Sequence, residues 1–565
     1  MVAQAYRHQS THSPIFFRVP SRQHKVFDIT NPRMSDTTLL HELIVKSANL
    51  SPSRTALSYG GSSIPYGELL NQVTRFSSGL MQLAIQRGER VAIYLEKRFE
   101  AVIASFGTPA AGGVFVPINP LLKAEQVGYI LRDCNVRVLI TSPERLSSLQ
   151  AILLPCPDLQ YIVVLDSSKP LPSIGGLNLC YWSELVGMPE KPGHRVIDTD
   201  VASILYTSGS TGKPKGVVLS HRNMVAGAKS VASYLENNAG DTLLAALPLS
   251  FDAGFSQLTT AFHVGARVVL LNYLLPRDVL KTIERETVTG LTAVPPLYIQ
   301  LTQLNWPESI SEHLRYFANT GGRMPRETLG ALRRHLPKTK PYLMYGLTEA
   351  FRSTFLPPAE VDRRPDSIGK AIPNAEILVL REDGTHCAPN EPGELVHRGA
   401  LVGMGYWNDP EKTAERYKPL PVNAPGREAG LILPEIAVFS GDTVRMDDEG
   451  FLYFIGRRDE MMKTSGYRVS PTEVEEVLYA TKLVGECVAF GVDHDTLGQA
   501  IQVIVTPAGN DEVDVAALLS ECRTRMPAYM VPAGVNVRNG PLPRNPNGKI
   551  DRKTLATEWI SANVG

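Results

Sequence analysis

Eleven consecutive residues, Tyr206-Thr207-Ser208-Gly209-Ser210-Thr211-Gly212-Lys213-Pro214-Lys215-Gly216, combine small hydroxyl side chains with three glycines and two lysines. Glycine lets a backbone approach a ligand closely and take positive φ. Successive N–H groups can then form an anion-binding nest. Hydroxyls add donors and the lysines add charge, so Thr207 to Lys213 together with Lys215 suit the wrapping of a polyphosphate. The spacing is not the Walker pattern, because no Gly-Lys here is followed by Ser or Thr at the required place. The apolar Ile204-Leu205-Tyr206 reads as a short strand leading into the loop.

Three further segments could do chemistry. Tyr345-Gly346-Leu347-Thr348-Glu349 offers an aromatic ring, a hydroxyl and a carboxylate. A tyrosine can stack on a flat base, and a lone carboxylate suits Mg²⁺, which keeps phosphate and water among its ligands. Ser440-Gly441-Asp442 places a carboxylate that can accept from both hydroxyls of a diol, although Gly-Asp alone is a common turn. Pro543-Arg544-Asn545-Pro546-Asn547-Gly548-Lys549-Ile550-Asp551 presents a lysine at the end of a tight Pro-Asn-Gly turn.

In this order the segments resemble the AMP-forming adenylating superfamily of acyl-CoA synthetases, peptide-synthetase adenylation domains and firefly luciferase. The resemblance spans about residues 38–556. It implies an α/β adenylate-forming-ligase fold: a large N-terminal domain of two α/β subdomains plus a β-rich subdomain, and a small mobile α+β C-terminal domain. It implies ATP and Mg²⁺, with CoA or phosphopantetheine as acceptor. Lys549, Glu349 and Thr348 become the catalytic residues, with Glu349 also the metal ligand. The loop from Thr207 to Lys215, Tyr345, Gly346, Asp442 and Arg457 become the nucleotide site. Thr320, Gly321 and Gly322 line the acid pocket. Asp459 is the hinge, and Gly466 and Arg468, in Thr464-Ser465-Gly466-Tyr467-Arg468, help form a pantetheine channel after the small domain rotates. A lysine is needed because a carboxylate must attack the anionic α-phosphate, and a cation between them offsets the repulsion.

Substrate is less legible. Pro248-Leu249-Ser250-Phe251-Asp252 carries Phe-Asp where fatty acyl-CoA synthetases commonly have Phe-His. By the same resemblance, peptide-synthetase domains use this Asp to pair the substrate's α-ammonium; otherwise Asp252 caps the helix that follows. Arg352 either binds an acidic substrate group or pairs with a core carboxylate. Ser440 stands where the family usually has Thr. Arg323 replaces a small or acidic residue, and the sequence gives no reason for it. The stretch Tyr345 to Ile377 resembles a narrower group of stand-alone ligases that feed carrier proteins, prolyl–carrier ligases among them, and exosortase-associated acyl-CoA ligases. The expected partners are thus a small carboxylic or amino acid, and CoA or a separate carrier protein. Alternatives are luciferase-like oxygenation of the adenylate and a non-catalytic binding protein on the same fold; the latter should lack Lys549, Glu349, Asp442 or Arg457.

The elements that must position these residues follow from pattern. A chain of 565 residues exceeds one ordinary core. Val91–Leu95, Val138–Ile140, Tyr161–Leu165 and Val268–Leu271 read as buried strands, with helices at Glu100–Phe106 and Lys123–Leu131 between them, which predicts largely parallel sheets. Glu376–Leu380 and Gly393–Val396 read as a hairpin region turning at Asp383-Gly384. The expected division is a leader at 1–33, an ATP- and acid-binding domain at 34–458 and a mobile domain at 459–565. The basic leader is either a transit peptide or an over-extended start before Met34, and no carrier domain is expected after Lys549. Charges balance at 57 of each sign, so nothing draws nucleic acid or an anionic membrane from a distance. Six scattered cysteines argue for a reducing, cytoplasmic setting without zinc or disulfides. The uncharged run Ala101–Leu122 is broken at Gly112-Gly113, so it predicts helix, turn and strand rather than a membrane span.

Overall fold

The computed structural model describes residues 37–565 apart from 169, 208–213, 423, 425–429, 431–432, 459, 465–466, 495, 510–511, 547 and 564–565. The expectations for the leader, for Ser208, Gly209, Ser210, Thr211, Gly212 and Lys213, for Asp459 and for Gly466 lie outside the described residues, as does the side chain of Arg468.

Apolar strands alternating with helices build one largely parallel sheet and the parallel part of a second, mixed one. The first runs in the order Asn178–Tyr181, Tyr161–Val164, Val136–Thr141, Arg90–Tyr94, Val114–Pro117, Val201–Thr207 and Lys215–Ser220, parallel until its last pair. Its inner strands are buried on both faces, hence their continuous apolar runs, while the edge strand Asn178–Tyr181 is partly exposed. The run Ala101–Leu122 becomes the helix Phe99–Ala111, stopped by Gly112 at φ 90°, and the buried strand Val114–Pro117. No helix among the described residues is long and apolar enough to cross a membrane.

The second sheet starts at the hairpin Thr55–Tyr59/Ser62–Pro65. It continues in parallel through Arg267–Leu270, Thr242–Ala245, Gly290–Ala293, Tyr316–Asn319 and Lys340–Tyr345. The β-rich region, including the expected hairpin Ala375–Leu380/Gly393–Gly399, extends this same ladder. The link is Thr354–Leu356, which pairs antiparallel with Lys340–Tyr345 on one side and Ser367–Ala371 on the other.

Beyond residue 460 a five-stranded sheet carries the helices Pro471–Ala480, Val515–Arg525 and Arg552–Asn563. It has its own core around Val474, Leu478, Ala489, Val503 and Leu518. The chain is therefore mixed α/β, with a large N-terminal and a small C-terminal domain.

In open parallel sheets, ligands bind beyond the carboxyl ends of the strands. Here the segments that follow Thr242–Ala245, Tyr316–Asn319 and Lys340–Tyr345 carry Asp252, at the start of the next helix, Thr320–Gly322 and Gly346–Glu349 respectively. The strand Val201–Thr207 runs into the glycine-rich loop.

Candidate active site

The nucleotide side is assembled from three strands. Asp442, in Ile436–Met446, faces Arg457, in Leu452–Arg457, as a cross-strand pair. Arg457 Nε lies 3.2 Å from Asp442 Oδ1, and the Tyr345 hydroxyl donates to Asp442 Oδ2. Burial pushes the Asp442 carboxyl up, while Arg457 and Tyr345 draw it back.

Glu349 sits in a 3₁₀ turn, Thr348–Ala350, just past the strand end. Its Oε1 accepts from the Tyr406 hydroxyl at 2.6 Å, and Lys215 Nζ lies 5.4 Å from the Tyr406 ring centroid. Tyr406 is fixed there by backbone pairing: Met404 N–H donates to Val218 O, and Trp407 N–H to Gly216 O. Lys215 and Glu349 are thus gathered around Tyr406, a residue the sequence reading missed. Nothing in spacing signals it, since it is 57 residues from Glu349. Among the described residues there is no cluster of three potential metal ligands. Glu349 as a single carboxylate fits Mg²⁺ shared with nucleotide phosphates rather than an all-protein cage.

Lys549 enters the same region from the small domain. Its turn is closed by Asn545, whose N–H donates to Lys549 O at 2.8 Å and whose Oδ1 accepts from Lys549 N–H at 3.1 Å. Gly548 takes φ 83° there. Arg544 pairs with the buried Glu486, which also accepts from Leu542 N–H. Across the domains, Asn119 Nδ2 donates to Pro546 O at 2.6 Å. The ammonium ends 6.0 Å from the Phe251 ring centroid. A Cβ at Gly321, where φ is 75°, would stand 2.9 Å from Lys549 Cε. Burial lowers the Lys549 ammonium below its ordinary value, and Asp252 chiefly opposes that. Thr320 lies buried beside this point, its N–H bonded to Ala293 O, and Gly322 O accepts from Asn319 Nδ2.

Asp252 and Arg352, read separately as substrate contacts, face each other. Arg352 Nη1 lies 3.0 Å from Asp252 Oδ2, and the two side chains are only 2% and 3% exposed. Thr348 Oγ1 is 3.4 Å from the other carboxylate oxygen. Asp252 is the first residue of the helix Asp252–Val264 rather than its cap; Phe251 holds that place and no side chain caps the helix. Of the alternatives the sequence left open for Arg352, the pairing with a core carboxylate is the one formed. Phe351 makes it possible. With φ 57° it turns the backbone sharply, and its buried ring fills the space that Gly227 leaves, so the next side chain re-enters the core. Arg323 also finds partners: Asp366 at 2.7 Å and, across the domains, Glu476 at 3.8 Å.

This fold, with a half-buried lysine delivered by a small domain to the strand ends of a large one, defines a nucleotide-dependent acid-activating ligase. The chain belongs to the AMP-binding enzyme family: that family matches residues 44–407, and the AMP-binding enzyme C-terminal domain matches 473–549. It is 28% identical to a long-chain-fatty-acid–CoA ligase of Bacillus subtilis, over 92% of this chain and 94% of the relative. It is 30% identical to a feruloyl-CoA synthase of Amycolatopsis sp, over 90% and 96% respectively. Among solved structures, an anthranilate CoA ligase in complex with anthranoyl-AMP superposes with a TM-score of 0.81 at 25% identity, covering 93% of this chain and 98% of that one. The protein is an AMP-forming acid–thiol ligase: ATP activates a carboxylic acid, and a thioester follows.

Proposed function

We propose that the two half-reactions are divided between two orientations of the small domain, and that this structure holds the adenylate-forming one. The carrying observation is Lys549, half-buried, with its side chain close against Gly321, its ammonium 6.0 Å from the Phe251 ring centroid and within the electrostatic reach of Asp252. In the first half-reaction a carboxylate oxygen attacks the α-phosphorus of ATP. The bond to pyrophosphate breaks, and acyl-AMP forms. Lys549 lies between the two anionic reactants and offsets the charge that builds on phosphorus. Asp442, with Arg457, holds the ribose hydroxyls; Tyr345 and Gly346 flank the adenine; Thr348 and the loop from Thr207 to Lys215 hold phosphates. Glu349 would hold Mg²⁺, which neutralises phosphate charge when bound. In the second half-reaction a thiolate attacks the acyl carbon and AMP leaves. For this step the small domain turns about Asp459 and brings the hairpin Met462–Thr464/Tyr467–Val469, with Gly466 and Arg468, towards the site. The acceptor is CoA, in keeping with both CoA-ligase relatives; a carrier-borne pantetheine is the competing acceptor. A cytoplasmic setting agrees with free thiols at all six cysteines.

Acid-dependent ATP–pyrophosphate exchange tests this reading, run over fatty, aryl, hydroxy and amino acids. Exchange with at least one acid, accompanied by AMP and a CoA thioester, is expected. Release of ADP, or thioester formation only on a carrier protein, would contradict the reaction or the acceptor respectively.

A further inference from the structure

One short segment ties the phosphate-loop side of the site to its carboxylate. Gly403 N–H donates to Glu349 O at 2.8 Å, Met404 N–H to Val218 O at 2.8 Å and Trp407 N–H to Gly216 O at 2.7 Å, while Gly405 O accepts from Val218 N–H at 2.9 Å. Residues 403–407 are thus clamped between the 3₁₀ turn that carries Glu349 and the strand that follows the glycine-rich loop. Tyr406 belongs to this clamp and is only 8% exposed. Its N–H donates to Thr413 Oγ1 at 2.9 Å, and the Tyr417 ring meets its own edge-on, at 86° and 5.7 Å between centroids. These contacts fix where its hydroxyl ends, 2.6 Å from Glu349 Oε1. The Lys215 ammonium lies over its ring at 5.4 Å, inside the range of a cation–π contact.

We propose that Tyr406 is a positioning residue for the divalent cation: its hydroxyl donates to Glu349 Oε1 and so fixes the carboxylate that would hold Mg²⁺. The proposal rests on the reading of Glu349 as the metal ligand. An ionised carboxylate is acceptor-only with several lone-pair sites, so one O–H bond leaves capacity for a metal. Mg²⁺ demands near-ideal octahedral geometry. Where a single protein carboxylate shares the ion with phosphates, the orientation of that carboxylate therefore decides whether the ion meets them correctly. A neutral hydroxyl suits the task better than a cation. An ammonium or guanidinium bonded to Glu349 would offset the charge that attracts Mg²⁺, whereas a phenol directs the carboxylate and leaves its charge in place. The same ring seats Lys215 on its face. One neutral side chain thus orders a cation of the phosphate side and an anion of the metal side.

The test uses the full chain, Mn²⁺ as a paramagnetic stand-in for Mg²⁺, and α,β-methylene-ATP, which cannot release pyrophosphate. Free Mn²⁺ is followed by electron paramagnetic resonance, and nucleotide affinity by calorimetry in EDTA and in Mn²⁺. Tyr406→Phe keeps the ring and its cation contact and removes only the hydroxyl. Its nucleotide complex should bind Mn²⁺ about tenfold more weakly, the order of effect of losing a partner that orients a ligand, while nucleotide affinity in EDTA stays within about twofold of wild type. Raising Mg²⁺ should restore most of the pyrophosphate release that the variant loses at low Mg²⁺. Equal Mn²⁺ affinity in wild type and Tyr406→Phe would overturn the inference. So would tighter binding by the variant, which would mean that the hydroxyl competes with the ion. Equal weakening of the nucleotide with and without metal would make Tyr406 a packing residue and overturn it as well. Glu349→Gln separates this inference from the reading beneath it. If Glu349→Gln weakens Mn²⁺ binding and Tyr406→Phe does not, this inference alone fails. If Glu349→Gln leaves Mn²⁺ binding unchanged, the metal role of Glu349 and this inference fail together.

Discussion

Lys549 and Gly321 are a matched pair: the glycine has no side chain where the lysine must pass. In Gly321→Ala a Cβ would stand 2.9 Å from Lys549 Cε, at a φ of 75° that alanine resists. Adenylation should fall at least tenfold, the order of effect a misplaced stabiliser has. Thioester formation from supplied acyl-AMP should suffer far less, because the proposed second orientation carries Lys549 away from the site; stopped assays of each half-reaction separate the two. The lysine also sets a pH limit. Burial holds its ammonium below the ordinary value of 10.5, so the cation needed for phosphorus attack is lost earlier as pH rises. The adenylation rate should decline on the alkaline side before an ordinary lysine would titrate, and a profile flat to that point would remove Lys549 from the step. The Asp252–Arg352 pair is different in kind. Arg352→Ala strands a buried carboxylate and should cost about 3–5 kcal/mol in chemical denaturation, whereas Asp252→Asn combined with Arg352→Met should lie much closer to wild type. Additive losses in the double variant would show that the two residues do not act as a pair.

At the scale of elements, the strands and the order of motifs were legible because apolar runs and turn residues are local signals. The run Val201–Thr207 ending in the glycine-rich loop, and the helix–turn–strand breaking Ala101–Leu122, both follow from neighbouring residues alone. What is built by long-range approach was not legible. Tyr406 reaches Glu349 only because its segment pairs with Lys215–Ser220, and Arg352 reaches Asp252 only because Phe351 turns the chain at positive φ. Arg323 looked anomalous in sequence for the same reason, since its partners lie at Asp366 and on another domain. The helices Arg326–His335 and Pro471–Ala480 meet there. Glu476 accepts from Arg326 N–H at 3.2 Å and stands 3.8 Å from Arg323, while Lys482 pairs with Glu327 at 3.2 Å. These contacts hold the small domain where Lys549 faces the site. Partly exposed pairs are each worth under about 1 kcal/mol. Glu476→Gln should therefore slow adenylation only about two- to fivefold and leave the thiol step unchanged or faster. Equal slowing of both steps would make the contact merely structural.

For the whole molecule, one site must serve two reactions that need different groups beside the bound nucleotide, and the proposed rotation of the small domain would supply them in turn. Glu460, next to the proposed hinge at Asp459, is tied to the turn that carries Lys549: Arg552, three residues after Lys549, bridges Glu460 and the half-buried Glu475. Such an arrangement would let the turn and the domain move as one piece in the proposed rotation, a few backbone angles absorbing the change. Asp459→Pro, by restricting those angles, should keep much of the adenylation and lose thioester formation, which measurement of both products on one preparation would reveal. The most direct measurement of the central claim compares wild type with Lys549→Ala in two assays: acid-dependent pyrophosphate release, and thiol transfer from synthetic acyl-AMP. The account predicts that release falls about 10²-fold or more while transfer persists. Near-normal pyrophosphate release by a folded Lys549→Ala protein would contradict it.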